Sequence, residues 1–395
     1  MLSYRSEALE PPIKVLFFIS SLAGGGAERV MTTILSGIGK NRVEPVLVLL
    51  YPYDDSPYKE ILPSEIKVIV VERKSDSLFS KIKQVLNFLK VVHIQKPDLI
   101  LSMLTHNNII ALMAGRLFGI KVLASEHNTL SMVVKTAQGK SMMGISSAFL
   151  VKLLYRYAHR IIAVSEGVRD DLVEVFRVPV DKTEVIYNPL DVAKINELCE
   201  VAPDNLFEPL LSDKSEKKPI IISVGRLVAP KRVDILIKAF SHVIKEIDAK
   251  LLILGEGHER SALDALASSM GLNDKVFFLG FQKNPYFFIS NADLFVISSD
   301  YEGLPMVMLE AMACGTPVIS TDCKSGPREI LGAGKYGVIV PTGDEIALAE
   351  AIITLLKDSS LRERLSKAGM ERAKDFSAEK IVGQYESLIY KIINK

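Results

Sequence analysis

Short apolar runs alternate with longer helical patterns along nearly the whole chain of 395 residues. The first run, Ile13–Ser20, is followed by a glycine loop and a helical pattern through Ile38, and this order repeats towards the C-terminus. Parallel strands need a long crossover between them, usually a helix, so the alternation favours βαβ units. It therefore predicts an α/β protein with parallel sheets, and the length allows about two or three domains.

The predicted strands are short apolar runs bounded by turn residues, and they form two groups. The first group is Ile13–Ser20, Pro45–Leu50, Ile66–Val71, Asp98–Ser102, Lys121–Ser125, Arg160–Val164 and Val185–Tyr187. The second group is Pro219–Val224, Lys250–Leu254, Val276–Leu279, Asp293–Ser298, Val318–Ser320 and Gly337–Val340. Residues 191–218 between them are polar and are predicted to be irregular. We therefore expect a first domain at 1–190, a linker at 191–218, a second domain at 219–375 and a final helix within 376–395.

Composition excludes several classes of protein. The net charge of +1 argues against bulk nucleic-acid binding. The three cysteines, Cys199, Cys314 and Cys323, have neither metal-ligand spacing nor the pattern of a disulfide framework, which is typical of a reducing compartment. Met1–Pro12 is polar and acidic, unlike a signal peptide, and Val15–Ile19 falls short of the ~20 residues that span a bilayer. We therefore expect a cytoplasmic protein.

The stretch 291–322 carries the strongest local signals. It reads as strand, loop, helix and strand, with Pro305 predicted as the first helical residue and Gly315 just past the helix end. Glu302 precedes the helix and Glu310 lies within it. A helix N-terminus suits an anion, whereas carboxylates accept hydrogen bonds from hydroxyls, so together they indicate a nucleotide sugar. From spacing alone, Glu302 could equally be a first-turn acid and Glu310 a solvated one.

The same stretch resembles the signature of a known family. E-G-L-P begins at Glu302, Glu310 stands at the eighth position after that glutamate, and A-C-G-T-P-V-I follows at 313–319. This resembles family 4 of the retaining glycosyltransferases, most tightly over 219–340 and more loosely over 13–190. The resemblance implies the GT-B fold, in which two Rossmann-like domains face each other across a cleft and the last helix returns to the first domain. It also assigns Gly303 and Leu304 to the donor site.

Two basic residues follow the first strand of the second group. Arg226 and Lys231 stand between Pro219–Val224 and a predicted helix, Val233–Ile247, where a parallel sheet offers a site to anions. Arginine grips phosphate oxygens bidentately and lysine adds a point charge. Two basic loop residues are usually just solvated, but here they match the G-R-L…K pattern of the family. The resemblance assigns Arg226 and Lys231 to the donor diphosphate.

Two further candidates lie in the first group of strands. A glycine loop, Gly24, Gly25 and Gly26, follows the first strand and is either a phosphate cradle or a tight turn. The family resemblance places this loop in the cleft, with Gly25 and Gly26 on the donor and Glu28 towards the acceptor. His127 follows the strand Lys121–Ser125 and is either a structural histidine or, by the resemblance, a catalytic residue beside the donor sugar.

Residues 130–165 form a basic and apolar stretch with no Asp or Glu. Lys152, Arg156 and His159 have the spacing of one helical face, and Arg160 follows them. Such a stretch suits an anionic membrane surface or a diphosphate-linked lipid acceptor. The alternative is an ordinary helix with one solvated face and one face in the core. We assign Lys152, Arg156 and Arg160 to the acceptor or membrane.

The resemblance implies a retaining transfer of a hexose or N-acetylhexosamine from a nucleoside diphosphate sugar, with UDP as the expected carrier. Glu310 would bind the ribose hydroxyls and Glu302 the sugar hydroxyls, and the leaving phosphate would accept the proton of the acceptor hydroxyl. No D-x-D sequence, which holds a divalent ion in the other major glycosyltransferase fold, occurs in this chain, so we expect neither a metal nor another cofactor.

The acceptor is expected from two short sequences. G-G-G-A-E-R-V near residue 24 and S-E-H-N at 125–128 resemble bacterial enzymes of capsule, O-antigen and lipid-linked oligosaccharide synthesis. Their usual acceptor implies a polyprenyl-diphosphate glycan at the inner face of the membrane, to which this protein would bind peripherally. Two alternatives remain: a sugar-nucleotide epimerase of the same fold, and a sugar-binding protein without enzymatic activity.

Overall fold

The computed structural model describes residues 11–394 except 24, 54, 55, 57, 58, 60, 72–76, 138–148 and 204–217. Lys140 of the basic stretch, Gly24 and residues 204–217, half of the expected linker, therefore lie outside the described residues. The described part folds around two parallel sheets of seven and six strands, as the alternation predicted.

The first sheet has the order β3-β2-β1-β4-β5-β6-β7, and every pairing in it is parallel. Its strands are β1 Ile13–Ile19, β2 Val43–Leu49, β3 Lys67–Val70, β4 Leu99–Met103, β5 Lys121–Glu126, β6 Arg160–Ala163 and β7 Thr183–Val185. The last strand was predicted at Val185–Tyr187, which is wrong, because the strand begins and ends two residues earlier. The Ile186 N–H, just after the strand, still donates to the Ala163 carbonyl of β6.

The second sheet has the order β10-β9-β8-β11-β12-β13, again entirely parallel. Its strands are β8 Ile220–Val224, β9 Lys250–Leu254, β10 Val276–Gly280, β11 Leu294–Ile297, β12 Val318–Thr321 and β13 Val338–Val340. In both sheets the strand order reverses beside the first strand, between β1 and β4 and between β8 and β11. Ligands of open α/β sheets bind outside the carboxyl ends of the strands at such reversals.

The helices of the first domain are α1 Gly26–Gly37, α2 Leu78–Gln95, α3 Thr105–Phe118, α4 Leu130–Ala137, α5 149–154 and α6 Glu166–Asp170. The following helices are α7 Val192–Cys199, α8 Val233–Val243, α9 Arg260–Ser269, α10 Tyr286–Ser290, α11 Met306–Ala313, α12 Pro327–Ile330, α13 Glu345–Lys357, α14 Ser359–Ala373 and α15 Ala378–Ile393. Among the described residues, no helix is long and apolar enough to cross a membrane.

Three local predictions are wrong. Residues 192–199 are helical, because the Asp191 side chain caps α7 through the Lys194 N–H and Ile195 is buried. Pro305 lies before α11 in an extended conformation rather than within its first turn. Helix α8 ends at Val243, four residues before the predicted end at Ile247.

The last helix returns to the first domain, as the GT-B resemblance implied. Helix α15 packs against α1, and its buried side chains share an apolar cluster with β1 and β2. At the far end of the helix, the Lys121 Nζ donates to the Ile392 carbonyl at 2.7 Å. This packing ties the C-terminus of the second domain to the sheet of the first.

Candidate active site

The carboxyl edges of the two sheets face each other and are in direct contact. A Cβ on Gly303 would lie 2.0 Å from the His127 carbonyl oxygen, so only glycine fits there without a shift. The Thr129 hydroxyl donates to the Glu302 carbonyl at 2.7 Å, and the Ser165 hydroxyl donates to the Gly303 carbonyl at 2.9 Å. The E-G-L-P loop of the second domain is therefore fitted against the ends of β5 and β6.

The second-domain edge holds a pocket at the reversal between β8 and β11. It is lined by Gly225, Arg226, Lys231, Ser299 and Glu302, among others. The Lys231 Nζ lies 2.6 Å from a Glu302 carboxylate oxygen, and the Ser299 hydroxyl donates to the same oxygen at 2.7 Å. Arg226 is exposed at the rim. The structure thus brings three sequence-predicted residues, Arg226, Lys231 and Glu302, into one pocket, where Lys231 is paired with Glu302.

Glu310 is buried on α11 and pairs with a residue that the sequence analysis missed. Its side chain is 5% exposed and forms an ion pair with Arg29 of α1, from the opposite domain. The same guanidinium donates to the Tyr286 hydroxyl at 2.8 Å. The alternative in which Glu310 is solvated is therefore wrong. The sequence shows an arginine, Arg29, directly after Glu28. It does not indicate the partner of that arginine, Glu310, which lies 281 positions away.

The glycine loop places Glu28 beside the cleft. A Cβ on Gly25 would lie 2.3 Å from a Glu28 carboxylate oxygen, whereas a Cβ on Gly26 would meet no atom within 4 Å. Burial raises the pKa of Glu28, while a backbone hydrogen bond and the charge of Arg226 oppose the increase. Glu28 therefore faces Arg226 across the domains, which brings the predicted acceptor-side and donor-side residues within electrostatic range.

His127 is buried and neutral. Burial lowers its pKa to about 4, and its Nε2 lies 3.1 Å from the Ser125 hydroxyl. A neutral imidazole at this position carries no charge to offer a phosphate, but it still has one ring N–H to donate. The loop of Gly303 covers its backbone.

Glu126, which the sequence analysis did not assign, ends β5 and immediately precedes His127 in the chain. It is fully buried and accepts hydrogen bonds from Tyr155, from Asn108 at 2.9 Å and from Thr105 at 3.0 Å. Burial raises its pKa to about 7, although these three donors oppose the increase. This network joins β5, α3 and the turn after α5, so it positions the strand end that carries His127.

The basic stretch does not form a single face at the cleft. Lys152 and Arg156 are exposed, but α5 ends at residue 154 and His159 instead accepts a hydrogen bond from the Val122 N–H at 3.2 Å. The helical spacing predicted through His159 is therefore wrong. Arg160 begins β6 and so lies at the amino edge of the sheet, opposite the cleft. Among the described residues of this stretch, the start of α4 follows β5 and therefore lies at the carboxyl edge of the sheet, near the site.

Comparison with known proteins adds the family. The model of "Glycosyltransferase Family 4" matches residues 24–194, and that of "Glycosyl transferases group 1" matches residues 211–372. The Campylobacter jejuni N-acetylgalactosamine-N,N'-diacetylbacillosaminyl-diphospho-undecaprenol 4-alpha-N-acetylgalactosaminyltransferase is 33% identical over 374 residues, 93% of this chain and 97% of that enzyme. A second Campylobacter jejuni enzyme, GalNAc-alpha-(1->4)-GalNAc-alpha-(1->3)-diNAcBac-PP-undecaprenol alpha-1,4-N-acetyl-D-galactosaminyltransferase, is 27% identical over 97% of this chain and 99% of its own.

Solved structures share the architecture. Anabaena HepE in complex with UDP and glucose has a TM-score of 0.81 at 22% identity, over 96% of this chain and all of HepE (100%). Sucrose-phosphate synthase from Thermosynechococcus elongatus has a TM-score of 0.80 at 21% identity, over 97% of this chain and 99% of that one. Two facing parallel-sheet domains of this kind are the GT-B fold. Because the full-length identity to the first Campylobacter enzyme is 33%, the chain belongs to glycosyltransferase family 4.

Proposed function

We propose that this protein transfers a hexose or N-acetylhexosamine from a UDP-sugar to a lipid-linked glycan, with retention of anomeric configuration and without a metal. The observation that carries the donor part is the grouping of Arg226, Lys231, Glu302 and Glu310 along one edge of the second sheet. Two cations suit a diphosphate, and two carboxylates suit hydroxyls. Sugar binding alone would need no diphosphate clamp.

Catalysis would be electrostatic. Arg226 and Lys231 are positioned to stabilise charge that grows on the leaving diphosphate, and one such preorganised donor is worth roughly 3–4 kcal/mol elsewhere. The Lys231–Glu302 pair at 2.6 Å holds the ammonium in place before substrate arrives. Gly25, Gly26, Gly303 and Leu304 would approach the donor through backbone. His127, held neutral by burial, would steady the sugar as a hydrogen-bond donor.

The acceptor would enter from the first domain. Both Campylobacter relatives are named for transfer onto undecaprenol-diphosphate-linked glycans, and their names motivate the same acceptor class here. Glu28 lies near the cleft, and Lys152 and Arg156 are exposed on the same domain. We propose that Glu28 contacts the acceptor and that Lys152 and Arg156 contact the inner membrane face, to which the protein binds peripherally.

The experiment is donor turnover without acceptor. Purified protein is incubated with a panel of nucleotide sugars in EDTA, and nucleotide release and sugar identity are followed together. Slow release from one UDP-sugar, lost in Glu302→Ala and Arg226→Ala but kept in Lys357→Ala, is the expected result. Lys357 is an ion-paired lysine elsewhere on the second domain, so it serves as a matched control.

Three other outcomes would overturn parts of the proposal. Isomerisation of the sugar without release would favour an epimerase. Turnover that depends on added Mg²⁺ would remove the metal-free claim. No binding of UDP or GDP by calorimetry would remove the enzymatic assignment itself.

A further inference from the structure

Helices α2, α3 and α5 lie side by side on one face of the first sheet. Their inward side chains share one apolar cluster, whereas α1 and α15 pack on the opposite face. His93 of α2 contacts Phe118 of α3 at 5.7 Å between ring centroids. Arg116 of α3 stacks over the Tyr157 ring at 4.4 Å. These contacts make the outward surface of the three elements continuous, and we call it the outer face.

The outer face exposes large apolar side chains that the fold does not cover. They are 38% to 77% exposed and comprise Phe79, Ile82, Leu86, Ile94, Met113, Leu117, Phe149, Leu153 and Tyr157. Along α2 the spacing from Phe79 through Ile82, Leu86 and Ile94 keeps these side chains on one side of the helix. An apolar surface of this extent usually marks an interaction site.

The charge around the outer face is one-sided. Residues 77–165 contain eleven Lys and Arg against two acids, Asp98 and Glu126. Glu126 is fully buried, so it contributes nothing to the surface. Lys83 and Lys90 are exposed on α2 beside the apolar side chains. The described residues of α2, α3 and α5 therefore offer hydrophobic groups with cations next to them and contain no acid.

We propose that the outer face is the surface through which this protein enters an anionic bilayer, with Phe79, Ile82 and Leu86 inserted among the acyl chains. Interfacial helices combine an apolar side with lysines that contact anionic headgroups. Cations near such a surface are attracted to anionic headgroups, so charge complementarity favours a bilayer of anionic lipid. This rests on the proposed function only in that a lipid-linked acceptor would require the cleft to approach a membrane.

The orientation agrees with that requirement. Helix α2 follows β3 and α3 follows β4, so both begin at the carboxyl edge of the sheet, where the cleft lies. Phe79 and Ile82 are therefore at the cleft end of the outer face, and Ile94 is at the far end. Insertion of the cleft end would bring the membrane surface next to the acceptor side of the site.

The chain contains no tryptophan, which allows a direct test. Phe79→Trp and Ile346→Trp each introduce a single fluorophore, the second at a 47% exposed position of the second domain. Each is mixed with vesicles of equal parts phosphatidylglycerol and phosphatidylethanolamine that carry brominated acyl chains. We expect quenching and a blue shift for Phe79→Trp only. No quenching of Phe79→Trp, or equal quenching of both variants, would overturn the proposal.

A loss-of-binding variant completes the test. Phe79→Ser/Ile82→Ser/Leu86→Ser should reduce sedimentation with the same vesicles, unbrominated, by about tenfold or more, and Ile346→Ser should not. Acceptor-free UDP-sugar turnover, measured on both, should be unchanged and reports that the site is folded. Unchanged sedimentation of the triple variant would overturn the membrane face while leaving the transferase proposal intact. If the wild-type protein binds the vesicles but turns over no UDP-sugar, only the transferase proposal would be overturned.

Discussion

The two edges of the cleft differ in the state of their ionisable side chains. On the second-domain edge, charged side chains are held as ion pairs, Lys231 with Glu302 and Glu310 with Arg29. On the first-domain edge, burial pushes the ionisable groups towards neutrality, with the pKa of His127 near 4 and that of Glu126 near 7. Paired charges are ready to exchange partners with a charged ligand, whereas buried neutral groups mainly fix shape. We therefore expect the second edge to govern chemistry and the first to govern position.

Lys231→Ala should give the largest effect if this contrast is correct. Loss of the ammonium would remove the donor that we propose for the leaving group, and it would also leave Glu302 without this cation. We expect kcat/KM for donor turnover to fall about 100- to 1000-fold. Steady-state nucleotide release measures it, with Lys357→Ala as control. A loss below about tenfold would place the phosphate contact elsewhere.

Gly303→Ala tests the place where the two edges touch. The added Cβ would lie 2.0 Å from the His127 carbonyl, so the domains must shift. A displacement of this kind typically costs about 10- to 100-fold in rate, which donor turnover would detect. Gly383→Ala on α15, where a Cβ meets no atom within 4 Å, is the matched control and should leave the rate unchanged. Equal rates in both variants would show that the contact is irrelevant to turnover.

Arg29→Ala asks whether the cross-domain pair stabilises the protein. Glu310 is 5% exposed and would lose its cation, but the Arg29 side chain is 33% exposed, so water moderates the penalty. We expect a loss of about 1–2 kcal/mol in the free energy of unfolding. Urea denaturation of Arg29→Ala, Glu310→Gln and the double variant measures the coupling. Strictly additive effects would mean that the pair contributes no interaction energy.

Glu126→Gln sharpens the first-domain half of the comparison through pH. The folded pKa of Glu126 is raised to about 7 from its ordinary value of 4.5, mainly by burial, with a smaller contribution from Asp171. Its stabilising contribution is therefore complete below pH 4.5 and is lost as pH rises through 7. The stability advantage of wild type over Glu126→Gln should shrink from about pH 5 to pH 8. A constant difference would mean that Glu126 titrates normally.

His127 should act in the opposite direction. Its folded pKa is lowered to about 4 from 6.5, so its contribution is present above pH 6.5 and is lost as pH falls towards 4. The two groups partly cancel in the wild-type curve. For this reason the comparison between variants, rather than the wild-type curve alone, is the informative measurement.

Much of the fold could be predicted because parallel strands covered on both faces are written as continuous apolar runs. The bounds of β9 were predicted to the residue, and those of the other strands to within one or two residues. Helix α7 was missed because its stability comes from Asp191 capping and from packing on α10 and α11 rather than from a long periodic pattern. Local propensity is a weak guide where tertiary contacts decide.

At the site, too, the residues that could be predicted are those with a local sequence signal, and the others depend on tertiary contacts. The sequence analysis could propose four site residues of the second domain because they lie in short segments rich in motif residues, each close to a strand end. These residues are Arg226, Lys231, Glu302 and Glu310. Arg29 was missed because nothing near it in sequence indicates a partner 281 residues away. Glu126 was named but not assigned, because only its burial makes the carboxyl unusual.

The amino-acid sequence by itself determined the alternation of elements, the two sheets and the loops that carry the charged candidates, since each depends on residues within one βαβ unit. The tertiary structure alone decided which charges are paired across the cleft, that the acid preceding His127 is buried and which face of the first domain stays uncovered. Those properties depend on distance and burial between segments that are remote in sequence, and no local pattern encodes them.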